Sequence, residues 1–285
     1  MRLDGRRKSS NVEDRRGGSA GIKSISIGGI VIAAIVAWVM GGNPLEVVTQ
    51  QLSDTTTQTT GEYQPTAEEQ EAADFASKIL AGTEDVWTKR FQSMGKTYEP
   101  PKMVYFTGGV TSGCGSASSS TGPFYCSADQ TIYIDLSFFN ELRDRFGAGG
   151  DFAYAYVIAH EVGHHVEYLL GTLSEAHRAM QAASSDKERN RISVRLELLA
   201  DFYAGIWAHD DNKLFASMEE GDLEEGLNAA TAIGDDRLQK QAQGYTVPDA
   251  FNHGTSEQRV RWLKKGYTTG DMSQGNTFAL PYSDL

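Results

Sequence analysis

His160, Glu161 and His164, in the run His160-Glu161-Val162-Gly163-His164, are the residues whose types and spacing point most directly to chemistry. Histidines four apart on a helix share one face, separated by about 6 Å of axial rise. Two imidazole nitrogens so placed can approach one zinc ion at about 2.0–2.1 Å. Glu161 sits beside the first histidine, angled toward a metal-bound water rather than the metal. Zinc lowers the pKa of such a water to about 7, and a carboxylate can take its proton as attack begins. The chemistry implied is hydrolysis. Gly163 costs a helix about 1 kcal/mol relative to alanine, so its presence implies that another backbone approaches closely here.

A catalytic zinc needs a third protein ligand. Glu197, in Glu197-Leu-Leu-Ala-Asp201, lies 33 residues beyond His164, on a stretch that reads as the next long helix. Asp201, one turn further on the same face, can accept the free ring N–H of a ligating histidine. Leu196, Leu198, Leu199, Ala200 and Phe202 surround the two acids with apolar side chains. Buried carboxylates need a partner, and a metal supplies one. His253 precedes Gly254-Thr-Ser-Glu-Gln-Arg259 in a turn opening a helix. It is a candidate donor to a developing oxyanion, with simple helix capping as the alternative. Arg259 can orient His253 or meet the carboxylates. Tyr203 and Tyr245 are weaker candidates for the donor. His165 points about 100° away from His164 on a helix, and His177 and His209 belong to no motif.

These residues need elements to hold them. Thr66-Ala-Glu-Glu69 has capping-box spacing and predicts a helix to about Leu80, with a second from Thr83 through Phe91. Met103–Thr107 and Thr131–Leu136 read as strands, separated by a Gly/Ser-rich loop over 108–122. The later strand is a candidate edge for pairing with an extended substrate. Asp151 is placed to cap a helix over 152–170 that Gly171 stops. Further helices are predicted near 186–209, 223–233, 236–243 and 256–265. The fold expected is α+β and mostly helical, with a small sheet before the motif helix.

The chain has 285 residues and a net charge of −12, unevenly distributed. Residues 1–23 carry seven basic and three acidic side chains, and the remainder 19 basic and 35 acidic. An acidic bulk argues against nucleic acid as a partner. Ile25–Met40 is uncharged and apolar, and with its flanks it approaches the roughly 20 residues that cross a bilayer. No Lys or Arg lies between Lys23 and Lys78. The positive-inside rule therefore places the N-terminus in the cytoplasm and the bulk outside. A cleaved signal peptide and a buried helix are the competing readings; no A-x-A-like site follows the run, and the basic leader is long. The division expected is a disordered cytoplasmic basic tail (1–21), a transmembrane anchor (22–42), a Thr/Gln-rich linker (43–65) and the folded domain (66–285). Outside the cytoplasm Cys114 and Cys126 would form a disulfide, worth about 3 kcal/mol; inside, they would be free thiols.

His160-Glu-Val-Gly-His164 followed by Glu197-Leu-Leu-Ala-Asp201 resembles the gluzincins, metallopeptidases with two His ligands and a Glu on a later helix. The spacing of His253 and Arg259 is similar to a motif of the membrane-associated CAAX-protease and heat-shock-protease branch, which has proline where this chain has Gly254. A wider resemblance covers almost the whole chain. The opening MRLDGRRKSSNVEDRRG, the single apolar run, the Gly/Ser/Cys loop, AHEVGHHVE and the IGDDRLQ segment resemble the bacterial putative neutral zinc metallopeptidase family. The resemblance implies a zincin-like domain with one catalytic zinc, a peptide or protein substrate, and a place in the bacterial inner membrane with the site facing the periplasm or exterior. A zinc hydrolase of non-peptide amides and a catalytically silent zinc-binding scaffold are the alternatives. The intact Glu161 speaks against the scaffold.

Overall fold

The computed structural model describes residues 1–17 and 63–285. The apolar run and most of the linker lie outside the described residues. Among those described, no helix is long and apolar enough to cross a membrane.

The architecture is α+β and mostly helical. A four-stranded sheet runs in the order β1-β2-β6-β5, with β1 Val12–Asp14, β2 Lys102–Phe106, β5 Phe124–Cys126 and β6 Thr131–Asp135. β1, β2 and β6 are parallel, and β5 is antiparallel to β6. A hairpin of β3 (Gly109–Ser112) and β4 (Gly115–Ser118) stands apart as a second sheet. Around the main sheet lie α1 (Ala67–Ser93), α2 (Phe138–Asp144), α3 (Asp151–Leu170), α4 (Thr172–Ala182), α5 (Asp186–Phe215), α6 (Asp222–Ala232), α7 (Asp235–Gln243) and α8 (Ser256–Thr269).

Successive side chains on a strand point to opposite faces, and both faces of this sheet are covered. Met103, Tyr105, Ile132 and Ile134 join the main core with the helices. Val104, Phe106 and Tyr133 face the other way and form a smaller core with Val110 and Cys126. The Gly/Ser-rich loop therefore contains a hairpin that roofs the sheet's far face. The Cys114–Cys126 disulfide ties that hairpin to β5.

Several expectations are corrected. Residues 1–17 are not a disordered tail apart from the domain. β1 completes the sheet, and Arg6, Arg7 and Asn11 bond to Asp211, Glu84 and Asp85 of the helices. The two helices expected over 66–91 are one, because Thr83 donates its hydroxyl back to the Leu80 carbonyl and stays inside the helix instead of capping a new one. Asp151 does not cap α3; Glu225 of α6 accepts the Phe152 N–H at 3.0 Å instead. Thr131–Asp135 cannot offer an edge, since β2 and β5 flank it on both sides. Gly171, in the left-handed region at φ 88°, ends α3 as expected.

Where α5 and α8 cross, two glycines let the backbones touch. A Cβ on Gly205 would stand 2.2 Å from the Leu263 carbonyl oxygen, and one on Gly266 would stand 2.1 Å from that of Phe202. This contact brings the start of α8 against the middle of α5, where the acidic residues of the site lie.

Candidate metal centre

α3 is apolar along most of its length and is buried against α1, α5 and α6. Gly163 sets its distance from α5. A Cβ there would lie 2.8 Å from the Ala200 carbonyl oxygen and 2.9 Å from its Cα. The close approach expected from the glycine is therefore made by the segment that carries Glu197 and Asp201.

Across this contact His160, His164 and Glu197 each present one ligand atom, all within 4.8 Å of one another. Glu197 Oε2 is 3.2 Å from His160 Nε2, and Oε1 is 3.5 Å from His164 Nε2. The other ring nitrogens are committed elsewhere. His160 Nδ1 meets Asp201 Oδ1 at 2.8 Å, and His164 Nδ1 meets Glu167 Oε2 at 2.9 Å. A carboxylate only accepts, so both Nδ1 atoms carry a hydrogen, and both Nε2 atoms face Glu197, where a metal would take their lone pairs.

The surroundings favour a cation. Burial alone would lower His164, but Glu197 and Glu167 outweigh it and raise it to about 10. Burial would raise Glu197, yet His164, His160 and His253 together hold it well below the usual carboxylate range. Two neutral imidazoles and one ionised carboxylate, converging with their partners already fixed, fit zinc. Zinc would replace the protons that otherwise balance this charge.

Glu161 is buried beside the His160, His164 and Glu197 donor set without belonging to it. Burial pushes its carboxyl up, and the charges of His160 and His164 only partly oppose this. It is therefore free to exchange a proton.

Asp201 is the hub of the supporting shell. It is fully buried and accepts from His160 and, at 2.6 Å, from Tyr156 Oη. Arg259 reaches it with two prongs, Nε to Oδ2 at 2.9 Å and Nη2 to Oδ1 at 3.0 Å. Burial would raise the Asp201 carboxyl, but Arg259 and His160 bring it down to about 2. Of the two roles open to Arg259, orienting His253 or meeting the carboxylates, the structure shows the second.

His253 is half-exposed and receives its orientation from Asp235. Asp235 Oδ1 contacts His253 Nδ1 at 3.1 Å, while Oδ2 accepts the backbone N–H groups of Asn252, His253 and Gly254. Burial would lower the imidazole, but Asp235 and Glu197 raise it. Tyr203 is buried against Trp87, and Tyr245 is exposed on the loop after α7. His209 bonds to the Tyr267 carbonyl. His165 sits between Tyr125 Oη and the Glu99 carbonyl, and burial lowers it to about 4, so it is neutral and structural.

Tyr156, Glu167 and Asp235 extend the set read from sequence. Tyr156 lies four residues before His160 and Glu167 three after His164, so helical spacing marks both. Asp235 reaches His253 only through the fold.

A His, His, Glu donor set on two touching helices, with an uncommitted acid beside the first histidine, defines a site of the zinc-metallopeptidase class. The chain belongs to the family described as putative neutral zinc metallopeptidase, which it matches over residues 1–278, and zinc is the cofactor this family implies. It is 49% identical over 285 residues to YpfJ of Escherichia coli K12, covering 98% of this chain and 99% of that one. It is 43% identical over 192 residues to Rv2575 of Mycobacterium tuberculosis H37Rv, covering 64% of each. Both relatives are described as uncharacterized. No solved structure matches the chain significantly.

Proposed function

We propose that the protein is a membrane-anchored zinc metallopeptidase of gluzincin type that hydrolyses peptide bonds. One observation carries this reading: three ligand atoms within 4.8 Å of each other, on helices held together at Gly163, with buried Glu161 alongside. Zinc held by His160, His164 and Glu197 would polarise the scissile carbonyl and make water acidic enough to react near neutral pH. Glu161 takes the proton of the attacking water and passes it to the leaving amine. His253, held by Asp235 through Nδ1, offers Nε2–H to the developing oxyanion. Asp201 and Glu167 fix the ligand tautomers, and Arg259 and Tyr156 hold Asp201.

An extended substrate pairs with β5 rather than β6. β5 closes one side of the sheet and packs beside α3. The apolar run 22–42 anchors the protein in the bacterial cytoplasmic membrane, with the metal centre outside, where the Cys114–Cys126 bond is stable.

The experiment is Glu161→Gln, assayed against a broad peptide library beside metal analysis. Zinc is retained and peptide hydrolysis is lost. Undiminished zinc-dependent hydrolysis by Glu161→Gln would sink the role given to Glu161.

A further inference from the structure

The chain leaves the described fold at Gly17 and re-enters it at Tyr63, and these two points touch. A Cβ on Gly17 would lie 2.0 Å from Tyr63 Cβ. The guanidinium of Arg16 lies 5.9 Å from the Tyr63 ring centroid, and its Nη1 donates to the Glu69 carbonyl at 2.9 Å. Residues 1–17 are built into the body formed by residues 63–285. Val12, Glu13 and Asp14 pair with Met103, Val104 and Tyr105, and Arg15 N donates to the Tyr105 carbonyl. Arg6 Nη2 bonds to Asp211 Oδ1 at 2.8 Å, with Asp211 only 1% exposed.

A single crossing would put the two ends on opposite sides of about 30 Å of hydrocarbon. Ends that touch, and a strand shared across them, cannot be so divided. Crossing out and back needs two apolar stretches of about 20 residues, and the sequence between 17 and 63 has one. Its second half, 43–62, carries Glu46, Asp54, Glu62 and a run of threonines. Burying those carboxylates in hydrocarbon is costly, so this stretch does not supply a second crossing. The charge that suggested a cytoplasmic tail has another use. Arg2, Arg6, Arg7 and Lys8 pair with Glu219, Asp211, Glu84 with Asp85, and Asp74 of the domain. The basic residues are counter-charges of an acidic body.

We propose that residues 1–17 and 63–285 lie on the same side of the membrane, so that the apolar run Ile25–Met40 does not carry the chain across; this rests on the membrane attachment proposed above. The lipid attachment is an insertion within the domain.

Asp4 and Lys264 are both exposed, and the two native cysteines are bonded to each other. Full-length chains bearing Asp4→Cys or Lys264→Cys are expressed in cells, and spheroplasts are treated with a membrane-impermeant maleimide before and after lysis. Both positions label before lysis. Labelling of Lys264→Cys before lysis and of Asp4→Cys only after it overturns the proposal. Labelling of both only after lysis upholds the shared side but moves the metal centre into the cytoplasm, which separates this inference from the outward-facing part of the proposed function. As a second measurement, Arg6→Glu makes the domain protease-sensitive in native membranes, because like charges then meet at Asp211. Unchanged resistance overturns the packing, since a tail across the membrane could not reach Asp211.

Discussion

Arg259 and Asp201 form a two-pronged ion pair out of contact with solvent, 58 residues apart in the chain, and Asp201 also holds the ring of a metal ligand. Removing one partner leaves the other charge buried and uncompensated. Arg259→Ala should cost about 3–5 kcal/mol in denaturant unfolding. Arg259→Lys should recover part of this, since a lysine restores the charge but not the planar fork. Equal stability of Arg259→Ala and the parent chain would refute the assignment.

Gly163→Ala replaces a poor helix former with the best one, which in isolation gains about 1 kcal/mol. Here the added methyl meets the Ala200 backbone at 2.8 Å, and backbone cannot swing aside as a side chain does. Overpacking costs about 1–3 kcal/mol, so thermal unfolding should show net destabilisation. Zinc affinity should fall with it, because α3 and α5 carry different ligands.

Glu167→Gln keeps shape and volume but removes the charge that accepts from His164 Nδ1. Loss of such a partner typically weakens metal binding by about 10–100-fold. Competition with a chromophoric chelator measures this directly. An unchanged zinc affinity would make Glu167 a structural residue only.

His253→Ala should leave zinc content unchanged, since this residue lies outside the ligand set. If it donates to the oxyanion, kcat falls by about 100–1,000-fold with little change in KM. Asp235→Asn should give a smaller loss in the same direction, because it only orients the ring. A rise in KM alone would point to substrate binding instead.

The core of the site was legible because it is local. His160 and His164 share a helical face by spacing alone, and so do Glu197 and Asp201, whose leucine-rich surroundings marked them as buried. Tyr156 and Glu167 obey the same periodicity and were within reach of the same reasoning. Asp235 was not, because a turn of the chain brings it to His253 and no sequence interval records that. The packing of the basic start of the chain was not legible for a different reason. Clustered arginines before an apolar run are compatible with a topological signal and with counter-ions for an acidic body, and the second use shows only in the pairing of Arg6 with Asp211. β6 was recognised as a strand, but its place inside the sheet depends on β1 and β5, and pairing order is not written in a strand's own residues.

The contact between Gly17 and Tyr63 also governs how the protein would be shed from a membrane, given the attachment proposed above. An anchor attached at one end is released by one proteolytic cut in its linker. On the proposed arrangement, residues 18–62 are bounded on both sides by one folded body, which holds β1 before them and α1 after them. A protease that nicks 43–62 leaves the domain tethered through its first 17 residues, which stay bound as a non-covalent strand. On that proposal, release into solution would take two cuts, one on each side of the apolar run, and a single nick would leave the proposed peptidase at the membrane.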